Sequence, residues 1–240
     1  MDYIGDIIFP DPELSQSDGL LAAGGNLEVP TIIQAYSKGI FPWYSEGSPI
    51  LWWSPDPRMV LFPKKFRISK SLQQTIHSGK FEVRFDSAFD RVIENCAMVK
   101  RKGQDDTWIT GEMVVAYRRL HSEGYAHSVE TYFNGDLAGG LYGVSLGRIF
   151  FGESMFYLIK DASKVALYNL VKRLITWDFD LIDAQQSTMH LKRLGADEIS
   201  RKEFLGLLKK SLKKETIRGS WGDRDLQGFK DLQGSIKYLY

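Results

Sequence analysis

The sequence predicts an α+β protein with a small N-terminal domain over residues 1–63 and a larger domain over residues 64–240. Three observations predict it. Up to Pro63 the chain is rich in Gly, Pro and Trp and poor in long periodic patterns. Beyond Pro63, runs of helical period and runs of strand period alternate. Several strands come together first, followed by a helix, a strand and another helix, which gives an α+β layer order. A chain of 240 residues with 43% hydrophobic content is long enough to bury one large core or two modest ones.

In the N-terminal part the pattern supports one helix, Pro30–Lys38, with Pro30 in the first turn and Gly39 at the stop. The phrase Ile50–Arg58 then runs into a strand at Met59–Phe62. After Pro63, Ser69–His77 reads as helix, Phe81–Phe85 as strand, and Ser87–Met98 as helix with Asp86 as candidate cap. Thr110–His121 is a further helix: Thr110 caps it, Met113, Val114, Tyr117 and Leu120 form its apolar stripe, and Gly124 ends it. The strands His127–Phe133 and Leu137–Val144 are joined through Asn134-Gly135, a dipeptide favoured in tight hairpins. A second hairpin through Leu146-Gly147 leads to Arg148–Phe151. Ser163–Ile175 is helical, with Leu167, Leu170, Val171 and Leu174 on one face. Asp180–Ala184 is a short apolar strand, and Ser187–Leu194 a helix ending at Gly195. Ser200 and Glu203 form a capping box for a last helix to about Leu212, and the tail from Arg218 has no clear period. This is the element order of the N-acetyltransferase fold, although a fold alone fixes no reaction.

Charge is nearly balanced, with 31 basic and 30 acidic residues. It is unevenly spread: no Lys or Arg occurs from Met1 to Ser37, while basic doublets gather later, Lys64–Lys65, Lys172–Arg173 and Lys192–Arg193 among them. Such doublets are either solvated helix faces or a local basic face for a phosphate backbone. The single Cys96 sits among apolar helical residues and reads as a buried structural thiol, so no internal disulfide forms. The acidic N-terminus is not a signal-peptide pattern, and no apolar stretch is long enough to cross a bilayer. A soluble cytoplasmic protein with no membrane partner is the expectation.

Familiar chemistries are disfavoured. The four histidines are scattered without metal-ligand spacing, and neither a Gly-Xaa-Ser-Xaa-Gly elbow nor a Walker-type loop occurs. Coenzyme A would need a Gly-rich turn at a helix N-terminus. The matching place, Lys160-Asp161-Ala162-Ser163-Lys164, has no glycine and carries an Asp.

Three positive features remain. At the strand end Leu181–Gln185, Asp183 and Gln185 lie two apart and project together, so the carboxylate is expected to accept from the Gln amide and fix which way it points. The same pair would also serve as a helix cap. Phe151–Phe156 sets Glu153 among aromatics, as a paired structural group or as a site for a cationic substrate. Trp43, Trp52 and Trp53 cluster and Trp108 precedes the Thr110 helix; these rings either pack in a core or stack a nucleobase.

Together these segments resemble the leucyl/phenylalanyl-tRNA–protein transferases. The resemblance is carried by Gly19–Gly25, Gly39–Trp43, Trp52-Trp53-Ser54-Pro55-Asp56-Pro57-Arg58, Thr107–Thr110, Gly139–Gly143, Phe151–Phe156, Ala162–Lys164, Leu181–Gln185 and Leu194–Ala196. It implies a small N-terminal domain followed by an N-acetyltransferase-like domain. It implies transfer of Leu, Phe or Met from aminoacyl-tRNA to acceptor proteins that begin with Arg or Lys. It further implies that Trp43 and Trp108 hold the terminal adenosine, that Leu141, Phe150, Met155 and Leu167 line the side-chain pocket, that Glu153 orients the acceptor, and that Asp183 and Gln185 are catalytic. Ala184 stands where many relatives have Cys, so a thiol between the two catalytic residues is not required. No metal, diffusible cofactor or covalent enzyme intermediate is implied, because an aminoacyl ester is already activated toward an amine.

Overall fold

The computed structural model describes residues 7–99 and 109–222. Ten strands occur among them: β1 (Leu20–Ala23), β2 (Phe41–Pro42), β3 (Leu51–Trp53), β4 (Arg58–Leu61), β5 (Glu82–Phe85), β6 (Ala126–Phe133), β7 (Asp136–Leu146), β8 (Ile149–Tyr157), β9 (Leu181–Gln185) and β10 (Asp197–Ile199). The helices are α1 (Val29–Ser37), α2 (Lys70–His77), α3 (Phe89–Met98), α4 (Gly111–Ser122), α5 (Ala162–Thr176), α6 (Met189–Arg193) and α7 (Arg201–Ser211). The protein is a mixed α+β fold. A three-stranded sheet, β1-β3-β2, lies in the N-terminal part, and a seven-stranded sheet runs β10-β4-β9-β8-β7-β6-β5. Every neighbouring pair in the large sheet is antiparallel except β8 and β9, which run parallel. Strand β4 precedes Pro63 in the chain yet lies inside the large sheet, between β10 and β9.

Helices cover both faces of the large sheet, and strand alternation explains how. Leu141 and Phe150 pack with Leu167, Leu170, Val171 and Leu174 of α5. Their chain neighbours Tyr142 and Phe151 pack on the other face with Tyr36 of α1, Val92 of α3 and Tyr117 of α4. Each fully buried Leu of the α5 stripe contributes about 1.5–3 kcal/mol relative to exposure. Close approach of α5 to β7 needs Gly139, where a Cβ would stand 2.7 Å from Cβ of Ala162.

Local signals act as read at several places. Thr110 and Ser200 accept from the backbone N–H groups of Met113 and Glu203. Asn134 and Gly135 both take positive φ, as a two-residue type I′ hairpin turn requires. Others differ. Asp86 does not cap α3, whose cap Ala88 makes no side-chain bond. It is itself at φ 53 and accepts from the backbone N–H of Ser128 and Trp221 and from Nδ1 of His127. Strand β8 continues six residues past Phe151, to Tyr157. The three short strands of the N-terminal sheet and β10 carry no period long enough to be read. Trp221, in the tail without a pattern, is fully buried and stacks on His127 at 3.9 Å between centroids.

Candidate active site

Strands β8 and β9 pair at Ile149–Leu181, Phe150–Ile182 and Phe151–Asp183, and the ladder ends there. Past that point a cavity of about 460 Å³ opens between Gly152–Met155 on one side and Ala184–Gln185 on the other. A bulge helps to shape it. Tyr142 pairs with Ser154 and the next residue, Gly143, with Gly152, so Glu153 is the extra residue on β8. A bulge re-aims side chains and shifts the alternation by one. Phe150 and Met155, five apart, therefore both reach the cavity, whereas Phe151 and Phe156 go to the opposite core. Gly143 clears the floor: a Cβ there would meet the Phe150 ring at 2.6 Å and collide with the Phe151 carbonyl.

All four residues expected in the side-chain pocket, Leu141, Phe150, Met155 and Leu167, line this cavity. Trp43, Glu153 and Gln185 line it too, and Trp108 lies outside the described residues. Trp43 stands where β2 feeds the cavity wall with Phe41 and Pro42. Trp53 braces it, with ring centroids 5.4 Å apart and its indole N–H donating to the Trp43 carbonyl at 2.6 Å. Trp52, by contrast, is a core residue, edge-on to Phe9. Leu61, Ile182, His190 and Leu191 also line the cavity and were not singled out from the sequence.

Asp183 and Gln185 do come together, but not through the expected contact. Asp183 Oδ1 accepts from the backbone N–H of Gln185 at 2.9 Å, and holds that residue at φ 61, in the left-handed region. The Gln185 side-chain amide donates instead to Glu153 Oε1 at 2.9 Å. Glu153, not Asp183, therefore sets which way the amide points. The reason is that both oxygens of Asp183 already serve Arg58, whose Nε and Nη2 donate at 2.9 and 2.6 Å in a bidentate pair. That pair is wholly buried, with Arg58 between the rings of Phe41 and Phe204.

Glu153 sits at the centre of a second buried cluster. Tyr36 Oη donates to its Oε1 at 2.6 Å, Tyr117 Oη to its Oε2 at 3.1 Å, and the two phenol oxygens are 2.6 Å apart. Burial pushes the Glu153 carboxyl up to about 7, against the hydrogen bonds from Tyr36 and Tyr117. The charge of Asp183 adds to the rise. Arg58, Tyr36 and Tyr117 were not read as site residues. Tyr36 and Tyr117 lie on two helices 81 positions apart and meet only in space.

Two cations, Lys164 and Arg193, stand beside His190 of the cavity wall. His190 is held below the usual imidazole range by partial burial, and then by Lys164 and Arg193 beside it. Lys64 and Arg67 are exposed, and Lys65 is paired with Asp197 at the surface. Asp161 stands at the N-terminal cap of α5 with its carboxylate on Lys164 at 2.8 Å. Among the described residues no helix is long and apolar enough to cross a membrane.

Residues 60–209 match the family Leucyl/phenylalanyl-tRNA protein transferase, and residues 25–56 match its N-terminal domain. A Legionella pneumophila (strain Paris) protein named leucyl/phenylalanyl-tRNA–protein transferase is 53% identical over 92% of this chain and 99% of its own length. Proteins of that name from Myxococcus xanthus (53% identical, 89% of this chain, 92% of theirs) and Syntrophobacter fumaroxidans (54%, 90% and 92%) are similarly near. Among solved structures, an aminoglycoside acetyltransferase from an uncultured soil sample matches at 10% identity. It covers 58% of this chain and 95% of its own at a TM-score of 0.32, too distant to carry an argument. A family match over most of the length, with relatives above half identity across nearly the whole chain, makes this protein a member of the leucyl/phenylalanyl-tRNA–protein transferase family.

Proposed function

We infer that the protein is an aminoacyltransferase that moves Leu, Phe or Met from aminoacyl-tRNA to the α-amino group of an acceptor protein beginning with Arg or Lys. The product carries a new peptide bond and an apolar N-terminus, which marks it for degradation by the N-degron pathway. The reaction belongs to the cytoplasm, where charged tRNA is found. The observation that carries this reading is an apolar cavity that ends on Gln185 and Glu153.

Leu141, Phe150, Met155 and Leu167 would hold the transferred side chain in a volume suited to Leu or Phe, since cavities of this size bury small ligands well. Trp43, with Trp108, would stack the terminal adenosine at the mouth. The cations Lys164, Arg193, Lys64 and Arg67 would meet the phosphate backbone. Gln185, fixed at its backbone by Asp183 and at its amide N–H by Glu153, would offer its amide oxygen to the incoming amine. Asp183 does not line the cavity and acts through Gln185. Glu153 orients the cationic acceptor. An α-amino group with an ordinary pKa of about 7.7–8.0 is partly neutral near pH 7, so attack on the ester needs chiefly positioning and a modest base.

A parallel strand pair that parts around an acyl-group cavity, with a helix between the two strands, supports an N-acetyltransferase-like catalytic domain. The division proposed near Pro63 separates the small N-terminal sheet from that domain, with β4 crossing into the large sheet. The test mixes purified protein, leucyl-tRNA and peptides starting with Arg, Lys or Ala, and reads peptide mass. Gain of one leucyl residue on the Arg and Lys peptides alone is expected; gain on none, or equally on all three, overturns the reading.

A further inference from the structure

The Glu153 cluster holds three oxygen–oxygen contacts in a closed triangle: Glu153 Oε1 to Tyr36, Tyr36 to Tyr117, and Tyr117 to Glu153 Oε2. Two phenols bring two protons. With Glu153 ionised, both phenols point at the carboxylate and the contact between them has no proton. One more proton, on the carboxyl, completes the triangle. Glu153 then donates to Tyr117, Tyr117 to Tyr36, and Tyr36 back to Oε1. The cluster is therefore built to exist in two states that differ by one proton, and Glu153 borders the cavity beside Gln185.

An amide oxygen such as that of Gln185 can hold an N–H group but is far too weak a base to keep its proton near neutrality. A carboxylate that has been desolvated and is matched to the working pH can. We propose that Glu153, held between Tyr36 and Tyr117, is the general base of the transfer reaction, and that it takes the amine's proton as the new C–N bond forms. The proposal rests on the reaction inferred above. The amine nitrogen bonds to the ester carbonyl carbon and loses one proton to Glu153. The carbon–oxygen bond to the ribose then breaks, and the ribose oxygen leaves with that proton, returned by Glu153. Nothing is oxidised or reduced, and the carboxylate is restored.

The groups that face Glu153 are Tyr36 from α1, Tyr117 from α4, and Asp183 with Gln185 from β9; Tyr142 on β7 lies behind Tyr117. Asp183 keeps its ion pair with Arg58 in both states. The titration near neutrality therefore belongs to Glu153, whose carboxyl lies at about 7, while burial and the negative charge of Glu153 hold Tyr36 and Tyr117 protonated.

Two measurements test it. Infrared pH-difference spectra of the free enzyme read the protonated-carboxyl band, which is expected to disappear between pH 6 and 8 in wild type and to be absent from Glu153→Gln. Single-turnover transfer to an Arg-starting peptide reads the base. Below both pKa values the wild-type log rate should climb with a slope approaching two, one for the amine and one for Glu153. Glu153→Gln should climb with a slope of one and be slower by about 10²-fold or more. The double variant Tyr36→Phe/Tyr117→Phe strips two donors from a buried carboxylate, which should move the infrared midpoint up by about one unit or more. Its transfer rate should be low at pH 7 and recover at pH 9, which a merely structural loss would not do. Failure of wild type to transfer at any pH would overturn the reaction and the base with it. Transfer that proceeds in Glu153→Gln at the wild-type rate and slope would overturn the base and leave the reaction standing.

Discussion

Replacing Asp183 by Asn changes one atom in size but should act strongly, because of what Asp183 faces. Asparagine keeps Oδ1 for the Gln185 N–H and Arg58 Nε, but sets an NH₂ group against Arg58 Nη2, where the present contact is 2.6 Å. The guanidinium is left fully buried, with no counter-ion in its pair. Breaking a buried pair from one side costs about 3–5 kcal/mol. At a urea m-value of about 2–3 kcal/mol/M that is a midpoint lower by about 1–2.5 M. Arg58→Met should cost a similar amount, because it strands the carboxylate. The double variant Arg58→Met/Asp183→Asn removes both charges and keeps an apolar side chain between Phe41 and Phe204. Its cost should fall short of the sum of the singles by about 2 kcal/mol or more. The assay is equilibrium urea unfolding of the four proteins. Transfer is measured alongside, where each protein is folded, and should drop by about 10²-fold in Asp183→Asn as Gln185 loses its backbone anchor. An Asp183→Asn stability within about 1 kcal/mol of wild type, or costs that simply add, would contradict this picture of the pair.

Three further outcomes are expected. The Glu153 carboxyl is raised on folding to about 7 from an unfolded value of about 4.3, so its contribution to stability is full below about pH 4.3 and is lost as pH rises through about 7. Wild type should therefore lose about 3 kcal/mol relative to Glu153→Gln between pH 4 and pH 8 in urea titrations, and a difference that does not vary with pH would contradict this. Leu167→Trp should fill the cavity and reduce transfer from phenylalanyl-tRNA about 10-fold or more beyond its effect on leucyl-tRNA, read as the ratio of the two rates. Affinity for charged tRNA should fall steeply with salt, and Lys64→Ala/Arg67→Ala should flatten that slope in a titration at several salt concentrations.

The sequence was informative wherever a local rule settles the structure. The Thr110 and Ser200 caps, the Asn134-Gly135 turn and the α5 stripe each depend on residues a few positions apart, and each stands as read. The cavity lining came through family resemblance rather than period, because the Glu153 bulge breaks the alternation that would otherwise separate Phe150 from Met155. What stayed hidden was long-range. Arg58 reaches Asp183 across 125 positions, and Tyr36 and Tyr117 reach Glu153 from separate helices. Trp221 is buried by contacts with His127 and Asp86 that a patternless tail does not announce. The expected bond from Asp183 to the Gln185 amide failed for the same reason: strand spacing said that the two side chains come together, but not that an arginine from another strand had already taken the carboxylate.

Gln185 joins the parts of the site: its backbone is held by Asp183, its amide by Glu153, and it forms part of the cavity wall. Single-turnover transfer from leucyl-tRNA to an Arg-starting peptide, measured in Gln185→Ala beside a tRNA binding curve, tests that role most directly. A rate lower by about 10²-fold or more is expected, with tRNA affinity nearly unchanged. Transfer at the wild-type rate, or a loss matched by an equal loss of tRNA affinity, would contradict it.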